Sequence, residues 1–371
     1  MPVNPGYPGA GFDAGWEIDV FGGIRRNIEA ADATIEASVE SYRDVLITLY
    51  AETALNYIEY RTLQERIKLA NANISAQEQT VKLTDTRLDL GLVPKIDVTQ
   101  ATTNLETTRS IVPQLQAQLA FAKNRIATLT GGYPASVEKL LSRYRPIPVP
   151  RRGYSAGLPA DLLRSRPDVR QAERELAAQT ARIGVAEADL YPRFSLFGNL
   201  SLQSVNSSDF FDSASRAYSF GPSFSWQIFS AGRIRSFIKA EESRTEQALA
   251  NYESTVLVAV EEVETSMVAV AQSWNRREIL GRAVEAAQES VELVKSNYED
   301  GLVDFQRVLD SERTKFSTED DEAISRGQVA RDYVTLYKAL GGGSEVEVIP
   351  MDQGKGIPRD NDDDADSVEP K

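Results

Sequence analysis

Displaced by 210 positions, the chain falls on itself without a gap, residues 11–132 on residues 221–342, with roughly twenty identities. Trp16 meets Trp226, Ile18 meets Ile228, and Gly22, Ile24 and Arg25 meet Gly232, Ile234 and Arg235. Farther on, Tyr42 meets Tyr252, Glu52 meets Glu262, Gly91-Leu92-Val93 meets Gly301-Leu302-Val303, and Gly131-Gly132 meets Gly341-Gly342. A chain built from two copies of one unit must fold as two similar pieces packed side by side. Each copy has the same order: a short alternating strand, a very long helix, a Gly-Leu-Val turn and a returning helix. That order suits a wall better than a globule.

No proline interrupts the segment from about Ile24 to Leu90, and Ile35, Val39, Tyr42, Val45, Leu46, Leu49, Ala54, Tyr57 and Ile58 recur at helical spacing. At 1.5 Å per residue such a helix reaches about 100 Å, far beyond any single core of ordinary size. It must therefore pack lengthwise, as in a coiled coil. Gly91 breaks it, Pro94 supports the turn, and a second helix is expected from about Asp97 to Leu129, ending at Gly131-Gly132. The second copy repeats this from about Ile234 to Asp300 and from Gln306 to Leu340.

The chain lacks His and Cys entirely, which removes the usual zinc ligands, Cys and His nucleophiles, His-dependent triads and disulfides. An enzyme is therefore not expected, and neither is a cofactor or a resident metal. The net charge of −14 disfavours nucleic acid as a partner. No run approaches the roughly 18 apolar residues of a membrane helix. Residues 1–6 show no basic n-region, apolar h-region or cleavage site.

Three short segments have a period of two. Phe12, Ala14, Trp16, Ile18 and Val20 alternate with Asp13, Gly15, Glu17 and Asp19. Phe194, Leu196, Leu200 and Leu202 alternate with Ser195, Asn199, Ser201 and Gln203, and Tyr218, Phe220, Phe224, Trp226 and Ile228 alternate with Ser219, Gly221, Ser223, Ser225 and Gln227. One greasy and one wet face, aromatics near strand ends and a length of about ten residues match a transmembrane β-barrel. A sheet half buried on an ordinary core is the plainer reading. Three strands cannot close a barrel, and open edges are not tolerated in lipid, so closure calls for other copies of the chain. Counting back from 192–204 by the same 210 gives positions −18 to −6, so the repeat expects one more strand ahead of Met1.

Between the copies lies a Pro- and Arg-rich connector with Arg145-Pro146-Ile147-Pro148-Val149-Pro150, then Leu158-Pro159-Ala160-Asp161-Leu162-Leu163-Arg164-Ser165-Arg166-Pro167-Asp168-Val169-Arg170. These residues, with Ala181-Arg182-Ile183-Gly184-Val185-Ala186-Glu187-Ala188-Asp189-Leu190-Tyr191-Pro192, both Gly-Leu-Val tips and Tyr337–Gly343, resemble the TolC-like outer membrane efflux factors. Within that family the likeness is to the lipoprotein channels serving resistance-nodulation-division pumps. The resemblance covers about residues 11–343. It implies a mainly α fold with a small transmembrane β part, in which two long α-helical hairpins per subunit form a trimeric α-barrel tunnel beneath a shared 12-stranded β-barrel. The domains expected are an N-terminal remnant (1–10), a first repeat (11–132), a connector or equatorial region (133–180), a helix end with two strands (181–230), a second hairpin (231–343) and a disordered acidic tail (344–371).

Partners implied by the resemblance are two further copies in a homotrimer, a periplasmic adaptor protein, an inner-membrane pump and outer membrane lipid. Gly91, Leu92, Val93, Gly301, Leu302 and Val303 match the adaptor-docking tips, although the same apolar pairs could simply staple the turns. Asp310 matches the ring of aspartates that narrows the tunnel, and a second ring carboxylate is replaced by Arg307. Those two are also spaced to pair along one helix, for about 0.3 kcal/mol. Tyr298 and Asp97 match a link that holds the closed state. Three other readings of the sequence remain: a protein-secretion or metal-efflux channel of the same fold, a soluble structural coiled-coil protein, and an inactive shortened remnant.

Overall fold

The computed structural model describes residues 9–150, 164–204 and 209–342. The acidic tail, the N-terminal eight residues and residues 157–163 of the connector motif lie outside the described residues. Strand β1 (Gly9–Ile18) leads into helix α1 (Gly23–Asp89), and α2 (Lys95–Leu129) returns antiparallel to it. A short α3 (Glu138–Leu141) precedes α4 (Pro167–Ala188), then come β2 (Arg193–Gln203) and β3 (Arg216–Ser225). The second hairpin is α5 (Arg233–Glu299) and α6 (Phe305–Ala339). Both ascending helices have 67 residues and both returning helices 35, so the repeat survives in three dimensions.

Local chemistry sets the ends. Gly22 and Gly232 take φ of 82° and 84°, and Gly91 and Gly301 take 72° and 75°, backbone that an L side chain rarely adopts. Asp19 falls outside β1 because its carboxylate accepts the main-chain N–H of Ile24 at 3.1 Å and of Arg25 at 3.0 Å, capping the first turn of α1. The third strand is shifted from the alternating 218–228 to 216–225. Trp226 leaves the sheet to donate its indole N–H to the Leu190 carbonyl at 3.0 Å. The helix that ends at Ala188 begins within the connector, with Pro167 in the first turn of α4, where a missing N–H costs nothing.

Helix α1 packs against α2, α4 and α6, while α5 packs against α6 and α4. The core is thin and divided. Tyr60, Leu63, Leu115, Ala122, Ile126 and Leu141 fill the upper end of the first hairpin, and Ala101, Tyr298, Phe305, Val308 and Leu309 fill the end near the turns. Between them the hairpins are joined by polar rungs. Glu59 pairs with Arg331 at 2.8 Å, Arg66 with Asp320 at 2.7 Å, Asn73 with Glu319 at 3.0 Å and Thr80 with Glu312 at 2.7 Å. The α1 members are seven residues apart, the period that keeps one seam of a supercoil facing its partner. Such polar pairs contribute little net stability, but the two buried ones, Asn73 with Glu319 and Thr80 with Glu312, penalise a shifted register, because a slip leaves desolvated groups unpaired.

At Gly327 this seam is tight: a Cβ there would meet Thr62 Oγ1 at 2.3 Å and its Cβ at 3.2 Å. Overpacking costs about 1–3 kcal/mol and alanine returns about 1 kcal/mol of helix propensity, so the clash should win. Gly327→Ala should therefore lower the urea midpoint, and adding Thr62→Ala should recover it; a more stable single variant would contradict this packing.

Candidate functional site

Two regions carry the features of a working surface, the turns at the foot of the hairpins and the sheet at the top. At each turn a glycine closes the ascending helix. The Leu92 N–H donates to the Arg87 carbonyl and the Leu302 N–H to the Asn297 carbonyl, both at 2.8 Å. The chain then divides the repeated apolar pair. Val93 and Val303 turn inward and pack on the cluster of Ala101, Tyr298, Phe305, Val308 and Leu309. Leu92 and Leu302 project into solvent, 64% and 73% exposed. The valines therefore serve as the staple, and the leucines are the residues free to meet a partner.

Behind the second turn Tyr298 is 5% exposed, with its ring 5.4 Å from that of Phe305 and its hydroxyl without a hydrogen-bond partner among the described residues. Burial raises the phenol above its ordinary range, the positive charge of Arg87 opposes the rise, and the negative charge of Asp97 adds to it. Asp97, in the first turn of α2, is half-buried. Burial, then the negative charge of Asp304, raises its carboxyl, outweighing the favourable position at a helix N-terminus. Of the two residues matched to a latch, Asp97 thus opposes ionisation of Tyr298 without a hydrogen bond to the Tyr298 hydroxyl. Arg87 makes the firmer link, donating to the Tyr298 carbonyl at 3.0 Å. Its place in the seven-residue series with Glu59, Arg66, Asn73 and Thr80 was the signal for it.

Asp310 and Arg307 are both exposed near the start of α6. They do not pair as their spacing suggested. Asp310 accepts from the Gln306 side chain at 2.9 Å, and the Arg307 main-chain N–H is held at 3.1 Å by the Asp304 carboxylate, the cap of α6. The short cap takes the first turn, and the one-turn spacing from Gln306 to Asp310 takes the carboxylate, leaving the Arg307 side chain free to project.

At the other end, β1, β2 and β3 form one antiparallel sheet in that order. Its register aligns Phe12, Leu200 and Tyr218 in one row, Ala14, Gly198 and Phe220 in the next, and Trp16, Leu196 and Pro222 in a third. Asp13, Asn199 and Ser219, then Glu17, Ser195 and Ser223, form rows on the opposite face. The apolar face is uncovered: Phe12 is 84% and Phe220 81% exposed. Of the structural residues, Arg166 escaped sequence reasoning although it lies in the connector motif. It is buried and donates to Asp168 and Glu262, each at 2.7 Å, and to the Ala339 carbonyl at 2.7 Å, joining α4, α5 and the end of α6. No described helix is long and apolar enough to cross a membrane.

Two repeated helical hairpins some 100 Å long beneath a small sheet with a bare apolar face define the class of TolC-like outer membrane channels. The solved outer-membrane channel OprN superposes with a TM-score of 0.86 at 35% identity, covering 91% of this chain and 81% of its own. The chain belongs to the outer membrane efflux protein family, whose pattern matches residues 5–132 and 158–342. It is 33% identical to Nodulation protein T of Rhizobium leguminosarum bv. viciae over 88% of this chain and 68% of that protein. It is 31% identical to the toluene efflux pump outer membrane protein TtgI of Pseudomonas putida, over 91% and 71%. The chain is accordingly an outer membrane efflux channel component with a periplasmic helical extension.

Because the Asp97 carboxyl lies above its unfolded value, its ionisation penalises the fold above the folded pKa, and the penalty disappears as pH falls below the unfolded one. Asp97→Asn should therefore raise the thermal midpoint at neutral pH and leave it unchanged near about pH 3. An equal gain at both values would assign the effect to something other than the charge.

Proposed function

We propose that three copies of this chain close their sheet edges on one another into a shared β-barrel, with their hairpins forming one continuous periplasmic tunnel. The duct is passive: it serves an inner-membrane pump of the resistance-nodulation-division type through a periplasmic adaptor, and energy and choice of cargo come from the pump. The observation that carries this reading is the sheet, whose apolar rows run across all three strands with no part of the described chain over them, while β1 and β3 each present an unpaired edge. Water would not reward that face and lipid would not tolerate those edges, so both conditions are met only by a barrel made from several chains. The toluene efflux pump relationship of TtgI supports small apolar molecules as cargo.

Within the tunnel, Asp310 provides a ring of three carboxylates at the constriction, with Arg307 beside it moderating the field. The exposed leucines Leu92 and Leu302 of each subunit are the docking points for the adaptor, and Asp97 with Tyr298 belongs to the region that keeps the foot of the tunnel shut.

Leu92→Glu and Leu302→Glu together should leave the protein folded and inserted in the outer membrane but reduce pump-dependent toluene tolerance to that of a deletion strain. A Val93→Ala variant, by contrast, should lower the thermal midpoint. Full tolerance with both glutamates in place would remove the leucines as the docking points.

A further inference from the structure

Helix α1 meets the second hairpin at residues seven apart, and the last of them differs in kind. Glu59, Arg66, Asn73 and Thr80 reach side chains of α6. Arg87 reaches main chain of α5. Its Nη1 donates to the Tyr298 carbonyl at 3.0 Å and to the Glu299 carbonyl at 3.4 Å, and its guanidinium carbon lies 4.7 Å from the centre of the Tyr298 ring.

These carbonyls belong to the final turn of α5, where a helix runs out of its own donors and bears the negative end of its dipole. Capping by a cation is ordinary there. Here, however, the cation comes from the other hairpin, from the last turn of α1. A planar guanidinium can hold carbonyl oxygens through its edge and an aromatic ring against its face at the same time, which an ammonium does poorly. By contrast, the Tyr298 hydroxyl makes no hydrogen bond among the described residues.

We infer that Arg87 is the positioning residue that grips the foot of the second hairpin and holds it against the first, through the Tyr298 carbonyl and ring and not through the tyrosine hydroxyl. The grip joins the two hairpins at their ends, next to the turn that carries Leu302. Releasing it frees residues 296–305 without disturbing the rungs above. As a consequence for gating, which rests on the channel reading, an unheld foot leaves the tunnel partly open.

The test uses amide hydrogen exchange on the detergent-solubilised full-length protein. Arg87→Met should raise exchange over residues 296–305 about tenfold, the scale of one charge-assisted hydrogen bond, and leave residues 259–273 in mid-helix unchanged. Arg87→Lys should recover part of the protection, and Tyr298→Phe should match the parent protein. The grip is overturned by unchanged exchange at the foot in Arg87→Met, by an equal rise along all of α5, or by a Tyr298→Phe effect as large as that of Arg87→Met. Conductance in planar bilayers separates the two readings: a loosened foot with a higher leak supports both, whereas a loosened foot with no conductance in any variant supports the grip and contradicts the channel.

Discussion

A 67-residue helix cannot be stabilised from one place. Its two ends lie about 100 Å apart, so whatever holds one end is out of reach of the other, and the contacts must be spread along its length. In this protein they are spread in kind as well as in position. Apolar packing around Leu63 and Leu115 holds the upper part of the first hairpin, polar rungs every seven residues join it to the second, and a compact cluster around Tyr298 and Leu309 closes the foot. The polar rungs add little net stability. What they add is registry, because each slip strands a buried carboxylate or amide. Two long hairpins joined by such rungs keep their turns level, which any partner meeting both turns at once requires.

The same length separates two solvents. At the top, the sheet has an apolar face that nothing in the described chain covers and two strand edges with unpaired main-chain groups. In water the face would aggregate, and in lipid the edges would be costly. At the foot, the exposed groups are leucines at the turns and charged side chains such as Arg307 and Asp310, suited to an aqueous compartment and a protein partner. Arg166 secures the joint between these halves, with burial opposing its charge and the hydrogen bonds it donates to Asp168 and Glu262 raising its pKa well beyond the ordinary value.

Much of this was legible in the residues because it is periodic. The repeat at 210, the long proline-free run after Ile24, the Gly-Leu-Val turns and the alternation of Phe12, Trp16 and Ile18 all depend on spacing alone, and the helices begin and end within about two residues of where spacing puts them. What was not legible depends on contacts between distant residues. Trp226 continues the alternation perfectly well, but the Leu190 carbonyl draws it out of the sheet. Val93 and Leu92 are equally apolar, and only the position of Ala101 and Phe305 decides which turns inward. Arg307 and Asp310 have the spacing of an ion pair, yet other partners, Asp304 and Gln306, take the main-chain cap and the carboxylate. Arg87 showed itself only as the last member of a series whose partners lie more than two hundred residues away.

The central claim is that the uncovered sheet is one sector of a barrel completed by other copies of the same chain. Native mass spectrometry of the full-length protein extracted from outer membranes in mild detergent measures this most directly. The account predicts a discrete assembly of three chains that persists on dilution. A single chain carrying detergent, with no assembly at any concentration, would contradict it.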